Sequence, residues 1–140
     1  MKTIREMTDL RKRRALITGA VGGFGRRIAV AIAELGGDLI LVDKPGSKYE
    51  ELVATIQNNY NVQVESLDCD LEDANARLEL IGTLAGRNES LNILINNAAF
   101  VGTSDLKGWV TDFENQSIET WRRALEVNLT AVFDLSKGLV

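Results

Sequence analysis

The sequence has no histidine in its 140 residues. That absence excludes Ser-His-Asp nucleophilic catalysis, imidazole acid–base chemistry and most zinc sites, so no metal site is expected. Cysteine is nearly absent as well. Cys69 stands alone, which permits no internal disulfide and fits a reducing, cytoplasmic setting. No run of about 18 apolar residues occurs and the N-terminus lacks an apolar signal core, so neither a membrane span nor a secretory leader is expected. A basic surplus is also missing. The net charge of −4 argues against a nucleic-acid partner, which needs a basic face. The local exception is the first fourteen residues, with six basic and two acidic side chains, which leave the remainder at −8. Residues 1–12 are read as a basic, solvated lead-in to the first strand.

What is present is an ordinary globular composition, 45 % hydrophobic and 26 % charged, about one domain in length. Short apolar runs alternate with helical patterns. Strands are expected at 13–18, 38–43, 62–68 and 91–96. Helices are expected from Phe24 to the Gly36-Gly37 pair, at 47–59, at 72–86, and from near Ser117 to the end. The single proline, Pro45, lies in the Lys44-Pro45-Gly46 stop after the second strand. This alternation predicts an α/β fold, a Rossmann-type doubly wound parallel sheet of order 3-2-1-4, in one domain over 1–140. The last helix reaches Leu139-Val140 without a capping glycine, and the fourth strand is left as an open edge. The sequence therefore reads as truncated before a fifth strand.

The stretch TGAVGGFG, Thr18 to Gly25, joins the first strand to the first long helix. Such a turn presents unpaired helix N–H groups to an anion. Gly19 permits the tight turn, Gly23 lets the backbone approach a pyrophosphate, and Gly25 permits close helix–strand packing. No Lys-Ser/Thr pair follows the last glycine, which disfavours a P-loop ATPase. Asp43 ends the second strand, where a carboxylate can accept both hydroxyls of an adenosine ribose. A 2′-phosphate placed there would meet a repulsion of up to about 4 kcal/mol per unit charge at about 4 Å. The expected cofactor is therefore NAD rather than NADP, unless Lys44 or Arg26 compensates.

Four motifs in order resemble the short-chain dehydrogenase/reductase family. They are Thr18-Gly19-x-x-x-Gly23-x-Gly25, Asp70-Leu71 after the third strand, Asn96-Asn97-Ala98-Ala99 after the fourth, and Val127-Asn128-Leu129 in the long helix. The resemblance covers residues 13–140 and implies the cofactor-binding half of such a protein. It implies that Phe24 offers its backbone N–H to the pyrophosphate and that Asp70 accepts from the adenine amino group beside Leu71. It implies that Asn97 and Ala98 line the cofactor cleft and Asn96 braces the strand. It implies that Asn128 holds an irregularity in the helix and a water leading toward the catalytic lysine. Ala99 departs from the family pattern, which has glycine there.

The resemblance implies hydride transfer between an alcohol and a carbonyl by a serine and a YxxxK tyrosine–lysine pair. Tyr49 and Tyr60 are each followed by valine four residues on, so neither supplies that pair. Ser104, Ser117 and Ser136 are poor substitutes for the serine. The catalytic trio is expected beyond residue 140, acting on a small-molecule substrate. The loop Phe100 to Gln116, with Trp109, would form part of the substrate wall, the alternative for Trp109 being a buried ring that packs the helix; Trp121 is expected on the packed face of the long helix. Leu125, Leu129, Val132 and Phe133 would form a dimer or tetramer interface, as the family implies. The alternative is a non-catalytic NAD-binding module or an inactive fragment.

Overall fold

The computed structural model describes residues 3–101 and 106–139. A short helix α1 (Ile4–Met7) precedes strand β1 (Arg14–Thr18). Then come α2 (Gly23–Glu34), β2 (Asp38–Asp43), α3 (Glu50–Asn59), β3 (Val64–Asp68), α4 (Ala74–Ala85) and β4 (Ile93–Ile95). A 3-10 turn (Phe113–Asn115) leads into α5 (Ile118–Leu125), a π-helical segment (Glu126–Thr130) and α6 (Ala131–Leu139).

The four strands pair in parallel in the order β3-β2-β1-β4, as predicted. Leu16 sits in register between Ile40 and Leu94, which centres β1 in the sheet. Strand side chains alternate between faces with a period of two. Ala15, Ile17, Leu39 and Leu41 therefore pack with Ala29, Ala33, Leu52 and Ile56 of α2 and α3. Leu16, Ile40 and Val42 pack on the other face with Leu80 and Leu84 of α4, Val127 of the π segment and Leu135 of α6. The middle residues of the two central strands, 15–17 and 39–42, form unbroken apolar runs because both faces are covered. This architecture sets the carboxyl ends of β1 and β4 side by side, at the point where the order of strands reverses.

Several boundaries differ from the sequence expectation. Chain-direction changes account for most of them. The second helix starts at Glu50 rather than 47, because the Ser47 amide closes a turn on the Lys44 carbonyl at 3.2 Å. The third starts at Ala74, capped by the Asp73 side chain on the Asn75 amide. Strand β4 is three residues long, against six expected. The lead-in is not all irregular: Thr3 and Glu6 close a reciprocal capping box around α1. The long final helix is interrupted by the π segment. Trp121 corrects an expectation outright. It is 51 % exposed rather than packed, because it lies on the outer side of α5, opposite the buried Thr120 and Ala124.

Candidate cofactor-binding site

At the end of β1, Thr18 is 1 % exposed and its hydroxyl oxygen accepts the backbone N–H groups of Asn97 and Ala98, both at 3.1 Å. The Asn97 side-chain amide returns the contact, donating to the carbonyls of Thr18 at 3.0 Å and Gly19 at 3.1 Å. The exit of β4 is thereby bonded to the first turn of the glycine-rich segment. Asn96, expected to brace the strand, donates to the Ser136 hydroxyl at 3.5 Å, while Asn97 ties the strand exit to the glycine-rich turn.

Gly19 has φ +63°, and a Cβ on it would stand 2.8 Å from the Ala98 Cα. A Cβ on Gly25 would stand 2.1 Å from the Gly19 carbonyl oxygen, which is the close helix–strand approach the spacing predicts. Gly23 differs: a Cβ there would meet nothing within 4 Å. Its bare backbone faces open space at the N-terminus of α2. Gly22, the N-cap residue, supplies no capping side chain. The amides of Gly23, Phe24 and Gly25 find no acceptor among the described residues. Three uncommitted donors, the positive end of a helix and room above Gly23 fit a pyrophosphate. The Phe24 side chain is 79 % exposed, so only its backbone belongs to the cradle.

Asp43 stands at the neighbouring strand end. Its Oδ2 accepts the Val21 amide at 3.0 Å, and its Oδ1 accepts the Lys44 amide at 2.9 Å and the Ser47 hydroxyl at 3.1 Å. These donors fix the carboxylate beside the glycine-rich turn. Arg26 is committed elsewhere, donating to the Val21 carbonyl at 2.8 Å and pairing with Glu51 at 3.3 Å. Asp70 is exposed and accepts the Glu72 amide at 3.0 Å, while Leu71 beside it is buried. Ala98 is half-buried and Ala99 exposed.

Asn128 lies in the π segment, whose Glu126 carbonyl accepts from the Ala131 amide five residues on. The Asn128 side chain makes a reciprocal pair with the Phe100 backbone, accepting its N–H at 2.8 Å and donating to its carbonyl at 3.1 Å. The indole of Trp109 donates to the next carbonyl, that of Val101, at 3.0 Å. The Thr120 hydroxyl holds the Lys107 carbonyl at 2.7 Å, so the start of α5 anchors this part of the loop. Residues 102–105 of that loop, Ser104 among them, lie outside the described residues.

Two residues acquire roles that no motif announces. Thr18 reads in the sequence only as the start of the glycine pattern. Arg77 is 2 % exposed at the centre of three hydrogen bonds. Its one sequence signal is its spacing, because Arg77, Leu80 and Leu84 share the buried stripe of α4. Cys69, 3 % exposed beside this region, has its thiol pKa pushed up to about 11 by burial and secondarily by the Asp70 charge. No group of three or more potential metal ligands gathers among the described residues, and no described helix is long and apolar enough to cross a membrane.

A parallel sheet of this order, with a glycine-rich turn at its switch point and helices on both faces, defines a Rossmann-type fold. The family model for short chain dehydrogenase matches residues 13–140. The chain belongs to the short-chain dehydrogenase family. It is 30 % identical over 136 residues to the short chain dehydrogenase/reductase dpchG of Colletotrichum higginsianum, covering 97 % of this chain and 48 % of that protein. It is 31 % identical over 122 residues to the 3-oxoacyl-acyl-carrier-protein reductase FabG of Aquifex aeolicus, covering 85 % and 45 %. A solved short-chain dehydrogenase from Sphingobium yanoikuyae, in complex with NADPH, superposes with a TM-score of 0.78 at 29 % identity, covering 91 % and 46 %. The chain spans about half the length of these relatives.

Proposed function

We propose that this chain is the nicotinamide-dinucleotide-binding part of an oxidoreductase that interconverts an alcohol and a carbonyl on a small-molecule substrate. The observation that carries this reading is the trio of uncommitted amides at Gly23, Phe24 and Gly25, set against the β4 exit by Thr18 and Asn97. The nicotinamide ring, when bound, supplies the hydride or accepts it. The chain's own residues bind and orient: the amides hold pyrophosphate, Asp43 accepts from the ribose, and Asp70 and Leu71 border the adenine. Ala98 and Ala99 line the cleft, and Asn128 orders Phe100 beside it. The serine, tyrosine and lysine that would move the proton are assigned to residues outside these 140.

NAD is the proposed cofactor. Asp43 is locked in place by three donors, and Arg26 is occupied by Val21 and Glu51, which limits its use against a 2′-phosphate. The NADPH complex of the Sphingobium relative makes this preference a point for direct measurement. Calorimetric titration of the 140-residue chain with NAD+ and NADP+ tests both halves of the reading. Tighter binding of NAD+ supports it. Equal affinity removes the cofactor preference, and binding of neither removes the cofactor-binding role.

A cytoplasmic setting, with its unpaired buried Cys69, belongs to the same reading. So does self-association. Trp121, Leu125, Leu129 and Phe133 are 51, 41, 64 and 64 % exposed along one helical stripe, and we assign that stripe to a second copy of the chain. Val132, half-buried, contributes little to it.

A further inference from the structure

Two arginines outside the cradle join the Asp70–Leu71 turn to the helix that carries Asn128. Arg77 on α4 divides its guanidinium among three elements. Nη1 donates to the Leu71 carbonyl at 2.6 Å, Nη2 to Glu126 at 2.6 Å and Nε to Asp134 at 2.9 Å. Arg123 on α5 makes a two-point pair with Glu72 at 2.6 and 3.1 Å, and its guanidinium lies 5.8 Å from the centre of the Phe100 ring. Phe100 is the residue whose backbone Asn128 grips from both sides.

The spacing of the two carboxylates on Arg77 carries the inference. Glu126 and Asp134 are eight residues apart. In an unbroken α-helix eight residues end about 80° away around the axis, on a different side. A π turn inserts one residue without advancing the helix, which returns the pair to within about 20° of one another. In the π register the two carboxylates share one side of the helix, and one rigid guanidinium fork reaches both. Glu126 is also the residue whose carbonyl accepts the five-residue bond from Ala131. A buried arginine paired with two half-buried carboxylates adds little stability over well-packed apolar side chains, whereas the planar fork constrains geometry closely.

We propose that Arg77 is a positioning residue that holds the helix at 126–130 in its π register, and so aims Asn128 at Phe100. Through Leu71 the same side chain ties that register to the turn proposed to border the adenine. The link to the cofactor rests on the function proposed above; the register lock does not.

The test uses the 140-residue chain, with NMR of the Asn128 side-chain amide and the Phe100 and Ala131 backbone amides. Arg77→Lys keeps a buried charge without the fork. The triple variant Arg77→Met/Glu126→Gln/Asp134→Asn removes the charges together, so that no carboxylate is stranded. Arg87→Met is the control, breaking the Arg87–Glu65 pair at a distance from the π segment. Arg77→Lys and the triple variant are expected to shift all three signals and to raise their exchange at least tenfold, while the control leaves them in place. A folded Arg77→Lys chain with those signals unchanged overturns the proposal. So does failure of both Arg77 variants to fold, which would make the residue a stability element. Titration with NAD+ and with AMP separates the two readings. An affinity lowered about tenfold by Arg77→Lys and unmoved by Arg87→Met is expected. A wild-type chain that binds neither ligand sinks the cofactor reading, while the exchange data still decide the register lock.

Discussion

The side-chain amide of Asn97 donates to the carbonyl of Gly19 at 3.1 Å, across the switch point of the sheet. One side chain therefore sets the distance between the glycine-rich turn and the exit of β4. The cradle is built by two loops rather than one. Its shape depends on residues almost eighty positions apart, and several consequences can be measured.

Gly19→Ala should lose both stability and ligand. The backbone there is at φ +63°, where a side chain costs about 1–2 kcal/mol, and the new methyl would press on the Ala98 Cα at 2.8 Å. Urea unfolding is expected to show a loss of about 2 kcal/mol or more, with NAD+ titration giving no measurable binding. Gly23→Ala is the informative contrast. Its methyl meets no protein atom, so it should fold normally and lose affinity alone.

Thr18→Val keeps the size of a buried side chain and removes its oxygen. The Ala98 amide would lose its acceptor, while the Asn97 amide would keep the Ile95 carbonyl at 3.0 Å. One orphaned donor costs about 1–3 kcal/mol, and a destabilisation of that size is expected in urea. A loss below half a kilocalorie would mean that water reaches the site and replaces the hydroxyl.

Asp43→Ser should narrow the preference between the two dinucleotides. On the NAD reading proposed above, the fixed carboxylate repels a 2′-phosphate, and the effect should weaken with added salt only slowly, because Asp43 is half-buried. Calorimetry is expected to show weaker NAD+ and stronger NADP+ binding, at least a tenfold change in their ratio. An unchanged ratio would move the selectivity to another residue.

Cys69 supplies a pH signature. Burial raises its thiol from the ordinary 9.0 to about 11 in the folded chain. Between those values the unfolded chain has released the proton and the folded chain has kept it, so stability falls as pH rises. The contribution is complete below pH 9 and is lost through about pH 11, on the order of 2–3 kcal/mol for two pKa units. The urea midpoint of wild type should thus fall more steeply than that of Cys69→Ala over this window. Parallel curves would show that the thiol does not sense its burial.

Phe133→Asp places a charge in the exposed stripe of α5 and α6. If a second copy covers that stripe, sedimentation should show the wild type as a dimer or larger and the variant as a monomer, with unchanged helical circular dichroism. A wild-type monomer at high concentration would remove the self-association proposal.

Strand order and the position of the glycine-rich turn were legible in the residues themselves. The alternation of RALIT and DLILVD with helical patterns specifies strands covered on both faces, and the glycine spacing of 19, 23 and 25 marks where backbone must stand bare. Those are local properties, written in period and in missing side chains. The sequence pattern places the start of α3 three residues early because a turn and a helix both tolerate Ser47-Lys48-Tyr49. The pattern alone suggests an inside position for Trp121, but its apolar ring suits either side of a helix, and only the packing of Thr120 and Ala124 chooses between them.

The sequence by itself determined the layered architecture, the place of the glycine-rich turn and the acidic residue at the end of β2. These follow from hydrophobic periodicity and from what a chain lacking Cβ atoms can do. Only the tertiary structure decided that the Asn97 side chain bonds the Thr18 and Gly19 carbonyls, that Thr18 receives two amides, and that Arg77 meets Leu71, Glu126 and Asp134 at once. Each of these joins residues dozens of positions apart or lying across a break in helical register. A polar side chain finds its partner by direction and distance in the folded chain, and sequence spacing encodes neither.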